Sequence, residues 1–174
     1  MPILWSFTKI PLSKEDDSVR NRSTWKVRKP TVLRRLQGIT YWVAKDPEEI
    51  RDFINTNLRR EWEEDLREEG RAVEEDQWLR TLSGRRWRLE AVEAAEIVLN
   101  PEIMNFVDQR RNYSFQASLA KRREELRTVL DTFGKVTWPV VARDDMVLMD
   151  GYCRFTALRE MGISRIYAYV GSLE

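Results

Sequence analysis

The last forty residues constrain the fold more than any other part of the chain. Trp138-Pro139-Val140-Val141-Ala142, Met146-Val147-Leu148-Met149 and Ile166-Tyr167-Ala168-Tyr169-Val170 are short apolar runs bounded by turn residues, and each reads as a strand. Asp144-Asp145 forms the tight turn between the first two. Met146–Met149 is too apolar for alternation, so that strand is expected to be buried on both faces. A helix follows from Gly151 to Met161, closed by Gly162. Upstream, Leu119, Leu126, Val129, Leu130 and Phe133 share one face of a helix from about Ser118 to Phe133, and Gly134 sits where a terminating glycine belongs. Strands and helices alternate, which predicts an α/β or α+β layer.

The first half reads differently. Gly38–Ala44 is rich in β-branched and aromatic residues and predicts a strand. Asp46 then offers an N-cap, Pro47 the first helical position and Glu48-Glu49 an acidic first turn. Ile50, Phe53, Ile54, Leu58, Trp62 and Leu66 recur at helical spacing up to Gly70. A second helix, roughly Val73 to Leu82, ends at Ser83-Gly84, where the sequence suggests a boundary. Residues 1–84 are expected to be a mainly helical N-terminal extension, and residues 85–174 a separate domain. Trp62 and Trp78 fall on apolar helix faces and are expected in the core.

Composition removes several chemistries. The chain has 174 residues, no histidine and one cysteine. Histidine-based zinc sites, Ser-His-Asp triads and intrachain disulfides are therefore excluded. No apolar run approaches a bilayer span and no signal peptide is recognisable, so a cytoplasmic, non-membrane protein is expected. The net charge is only +1 but unevenly spread: +6 over residues 1–46 and −6 over residues 47–82. The basic stretch 9–35, with Arg22, Trp25, Lys26 and Arg28 as candidate contacts, could touch a nucleic-acid backbone.

The chemistry concentrates at Asp150-Gly151-Tyr152-Cys153-Arg154, between a buried strand and a helix N-terminus. Backbone N–H groups of a first helical turn attract anions. Glycine permits a close approach, and arginine supplies a fork of donors suited to phosphate. Asp150 is placed to hold a metal or polarise a hydroxyl.

The segment Val147–Gly162 resembles the ParB/sulfiredoxin-like superfamily motif: apolar strand, Asp or Gly, Gly, two variable residues, Arg, then a helix with Ala-Leu and a closing Gly. Lys121–Leu130 with Gly134 and Trp138–Val141, and Val98-Leu99-Asn100-Pro101-Glu102, are similar to the family's upstream helix and first strand. The likeness covers about residues 90–172 and is nearest to the free serine kinase branch. It implies an α+β fold with a small mixed sheet and a nucleotide (ATP or ADP, or CTP) bound with Mg²⁺. Gly151, Tyr152, Cys153 and Arg154 would form the phosphate cradle, with Asp150 organising metal or substrate. Glu102 would be the base on a small hydroxyl substrate such as serine. The kinases carry His-His where this chain has Tyr152-Cys153, and sulfiredoxins carry their reactive cysteine where this chain has Tyr152. Two alternatives follow: a DNA-binding or nuclease-like ParB-type module, and a non-catalytic interaction protein with a vestigial pocket.

Overall fold

The computed structural model describes residues 32–68, 72, 77–100, 115–132 and 134–173, apart from the side chains of residues 65, 68, 115–119 and 122. The fold is α+β, built on two sheets. β1 (Val32–Leu36), β2 (Ile39–Val43) and β5 (Val136–Thr137) form a small sheet in that order. The larger, mixed sheet has the order β3-β8-β6-β7-β4. Its strands are β3 (Arg85–Glu93), β4 (Val98–Leu99), β6 (Val140–Arg143), β7 (Val147–Asp150) and β8 (Arg165–Leu173).

Its longest ladder is antiparallel, from Arg85↔Leu173 to Glu93↔Arg165. β8 runs parallel to β6, and β6 pairs antiparallel with β7 across the Asp144-Asp145 turn. Continuous apolar strands are what a sheet covered on both faces requires. Leu148 accordingly packs in one core and Met149, its neighbour, in another.

The first core is closed by α4 (Phe115–Thr132) and α5 (Tyr152–Glu160), through Leu126, Leu130, Phe155 and Leu158. Ile39, Tyr41 and Val43 of β2 join it. The second gathers Ile50, Ile54, Leu58 and Leu66 with Leu79 and Leu82 against Val141, Met149 and Tyr169. Both cores therefore draw on each side of the boundary expected after residue 84, and the described part of the N-terminal segment packs with the later strands. Gln37 reinforces this, since its Oε1 accepts from the Ser164 and Arg165 N–H groups at 2.9 and 3.1 Å.

Asp46 caps α1 (Pro47–Phe53) as predicted, its Oδ1 accepting the Glu48 N–H at 2.8 Å. The helical run is not uniform: Ile54–Leu58 is π-helical before α2 (Arg59–Glu68) resumes. Ile50, Ile54 and Leu58 are four apart, a spacing that drifts off a straight α stripe, and a wider turn keeps them on one face. The second helix is described only as α3 (Gln77–Leu82), with Trp78 buried as expected.

Two differences from the sequence reading have clear causes. β1 was not anticipated, because Val32-Leu33-Arg34-Arg35-Leu36 lies mostly exposed at a sheet edge and shows no alternation. The strand expected over Trp138–Ala142 begins only at Val140, and Trp138-Pro139 links β5 of the small sheet to β6 of the larger one. Pro139 cannot donate to a ladder, and the chain changes sheet there.

Candidate functional site

The site grows out of the end of β7. Asp150 is its last residue, Gly151 the N-cap position of α5, and Tyr152, Cys153 and Arg154 its first turn. Gly151 has φ +91° and ψ 28°, a left-handed conformation that strains any residue with a Cβ. Space makes the same demand. A Cβ there would lie 2.9 Å from Arg154 Nη2 and 2.9 Å from Val140 Cγ1. The guanidinium therefore lies directly against the turn backbone.

Asp150 and Arg154 are joined. Arg154 Nη2 donates to Asp150 Oδ2 at 2.6 Å, with the two side chains 12% and 8% exposed. The pair is charge-assisted and largely removed from water, so neither charge is solvated in the other's absence. Arg154 Nε is fully buried and has no acceptor among the described residues. The motif thus presents an arginine with one arm held by a carboxylate and one N–H unsatisfied beside a helix N-terminus.

The neighbouring motif residues turn inward. Tyr152 is 0% exposed; its hydroxyl donates to the Leu148 carbonyl at 2.8 Å and accepts the Asn100 N–H at 3.0 Å. Burial raises its pKa above the ordinary value, the Asn100 N–H opposes that, and the Asp150 charge adds to it. Any contribution of Tyr152 to an anion site comes from its backbone, because the ring belongs to the core. Cys153 is buried in the same core.

On β8, separated from β7 by β6, the Tyr169 hydroxyl accepts the Ala44 N–H at 2.9 Å. Burial pushes its pKa up to about 12, with the Arg154 charge pulling down and Glu49 pushing up. Asn100, Val140 and Tyr169 were not singled out from the sequence. Asn100 bonds to Tyr152 and Val140 packs against Gly151, and no local pattern marks such partners.

Glu102 lies outside the described residues, as do Arg22, Trp25, Lys26 and Arg28. Arg123 of α4 pairs through Nε with Glu160 of α5 at 3.0 Å. Among the described residues no three His, Cys, Asp or Glu side chains gather to hold a metal, and no helix is long and apolar enough to cross a membrane. The donors at the turn suit an anion. One carboxylate is a sufficient protein ligand for a Mg²⁺ held mainly by phosphate oxygens, and Asp150 is of the right type.

No family model matches the sequence, and no curated protein matches it. The chain is similar to two solved structures of a pNOB8-like ParB N-domain, at 19% and 21% identity and a TM-score of 0.38 in both cases. The match covers 52% of this chain but only 31% and 29% of theirs, so the chain spans less than a third of either. Both are ParB domains, the family whose motif the Val147–Gly162 segment resembles.

Proposed function

We propose that the Gly151 turn binds the phosphate groups of a nucleoside di- or triphosphate together with Mg²⁺. One observation carries this reading. Arg154 holds a buried Nε–H without an acceptor among the described residues, against a left-handed glycine at a helix N-terminus. An unsatisfied buried donor is costly, and a phosphate oxygen is the acceptor that this donor and the helix dipole both favour. Gly151 and Arg154 bind in this reading, Tyr152 and Cys153 contribute backbone, and Asp150 is the carboxylate for Mg²⁺. Bound Mg²⁺ would neutralise phosphate charge. Transfer to a small hydroxyl such as serine rests further on Glu102 as base.

Calorimetric titration with ATP, ADP and CTP in Mg²⁺ tests the binding. Arg154→Ala is expected to weaken it about tenfold to a hundredfold, the range for losing a hydrogen bond to a charged group. No binding of any nucleotide by the wild type would end the reading. Phosphoserine formation from ATP and serine, abolished in Glu102→Gln, tests the transfer separately.

One observation favours a second reading, a nucleic-acid contact. Residues 18–45 hold eight Lys/Arg and no Asp/Glu, and Arg34, Arg35 and Lys45 are exposed on or beside the β1–β2 hairpin. A salt-dependent mobility shift lost in an Arg34→Glu/Arg35→Glu variant would support it. A shift unchanged by that variant would count against it.

A further inference from the structure

The small sheet has two unlike faces. Side chains alternate along a strand, and Ile39, Tyr41 and Val43 of β2 lie in the first core. Thr40 and Trp42 therefore stand on the opposite face. The register carries that face onto the neighbouring strands, since Leu33 pairs with Trp42, and Arg35 and Val136 flank Thr40. Leu33 is 52% exposed, Arg35 is exposed, and Thr40, Trp42 and Val136 are partly exposed. Among the described residues, Trp42 belongs to neither core. Arg34 on β1, Lys45 just past β2 and Lys135 just before β5 are also exposed. None of the three strands contains an Asp or Glu.

An accessible indole among cations suits a ligand with negative charge along its length and flat π faces beside it. Nucleic acid has both, and the indole decides which form fits. In a duplex each base face is already stacked on its neighbour, and freeing one costs about what one aromatic contact returns. Such a ligand would gain from the cations alone. In a single strand the base faces are free, so stacking adds to the phosphate attraction.

We infer that the outer face of the β1–β2–β5 sheet is a stacking platform for single-stranded nucleic acid, with a base on Trp42 and the adjoining phosphate on Arg35. The inference rests on the nucleic-acid reading above and deepens it, because it names the strandedness of the ligand and the residue that selects it. Since every base has a π face, the platform discriminates single strand from duplex rather than one sequence from another.

Fluorescence anisotropy of labelled oligothymidylate with the full chain tests this, against a mixed-sequence duplex of the same length at the same salt. The single strand is expected to bind on the order of tenfold more tightly. Trp42→Ala should weaken it about fivefold to a hundredfold, the range for one stacked base, and leave duplex binding unchanged. Trp42→Phe should keep most of the affinity and Trp42→Leu should lose it, a comparison that decides alone if Trp42→Ala does not fold. Arg35→Ala should lower the slope of log affinity against log salt by about 0.7, one phosphate contact on a single strand. Labelled polyglutamate, which has the charge without the bases, should bind more weakly and ignore Trp42→Ala. Polyglutamate binding as tight as that of oligothymidylate would overturn the inference in favour of an acidic peptide. Equal affinity for duplex and single strand, or equal affinity in Trp42→Phe and Trp42→Leu, overturns the platform and leaves the nucleic-acid reading standing. No binding of either nucleic acid at low salt overturns both.

Discussion

The Gly151 turn and the Gly171 position of β8 share parts but differ in what fills the space beside the glycine. Each has a glycine with no room for a Cβ and a neighbouring arginine whose Nε is buried without an acceptor. Gly151 lies against Val140, the first residue of β6, while Gly171 pairs with Arg143, the last. At Gly171 the missing side chain is replaced by the Trp87 ring, whose Cζ3 would be 2.6 Å from a Cβ. Arg85 donates from Nη1 to the Gly171 carbonyl at 2.9 Å and lies 4.9 Å over the Trp78 ring. Burial lowers its pKa, and the Arg143 charge adds to that. At Gly151 the space is taken by a guanidinium instead, the backbone is left-handed, and a carboxylate is the arginine's partner. Aromatic rings close one end into packing. The other end holds an ion pair at a helix N-terminus, which the proposed function reads as able to exchange partners.

The two ends should therefore separate under mutation. Trp87→Ala removes a buried indole and should cost about 3–5 kcal/mol of stability, read as a large drop in unfolding midpoint. Nucleotide affinity of the folded fraction should be unchanged. A lost affinity at matched folded population would show that the two ends are not independent.

Alkali should sharpen the contrast from β8, which carries Gly171 and pairs with β6. Tyr169 sits on this strand, and burial pushes its pKa up to about 12 from 10.0. A folded pKa above the unfolded one means that its contribution is complete below pH 10 and lost as pH rises through about 12. The loss is about 2–3 kcal/mol for Tyr169 alone. Tyrosinate absorbance should appear together with unfolding in this window. Titration of Tyr169 in a folded protein near pH 10 would contradict its burial.

Gly151→Ala reverses the pattern of Trp87→Ala. The left-handed backbone costs about 1–2 kcal/mol in stability, but the added methyl displaces Arg154, and nucleotide binding should fall with it. Retained binding in a folded Gly151→Ala protein would remove the turn from the site.

Much of this was legible locally. Asp46 and Pro47 marked a helix start, and Met146–Met149 carried the signal of a strand covered on both faces. Asp150–Arg154 marked the turn by its residue types. What sequence did not reveal is who meets whom. Gln37 binding Ser164, Asn100 binding Tyr152 and Trp87 filling the space at Gly171 are long-range choices, set by tertiary packing. The same holds for β1, whose exposed edge pattern resembles a loop. Even the site was half-read. Tyr152 has the position of a cradle residue, but its ring lies in the core, and Asp150 and Arg154 are each other's partners.

A crystal structure of the protein soaked with ATP and Mg²⁺ tests the central claim most directly. The account predicts a phosphate oxygen within hydrogen-bond distance of Arg154 Nε, with Asp150 turned from Arg154 to the cation. A phosphate bound elsewhere, with the 2.6 Å Asp150–Arg154 contact intact and Nε still without an acceptor, would contradict it.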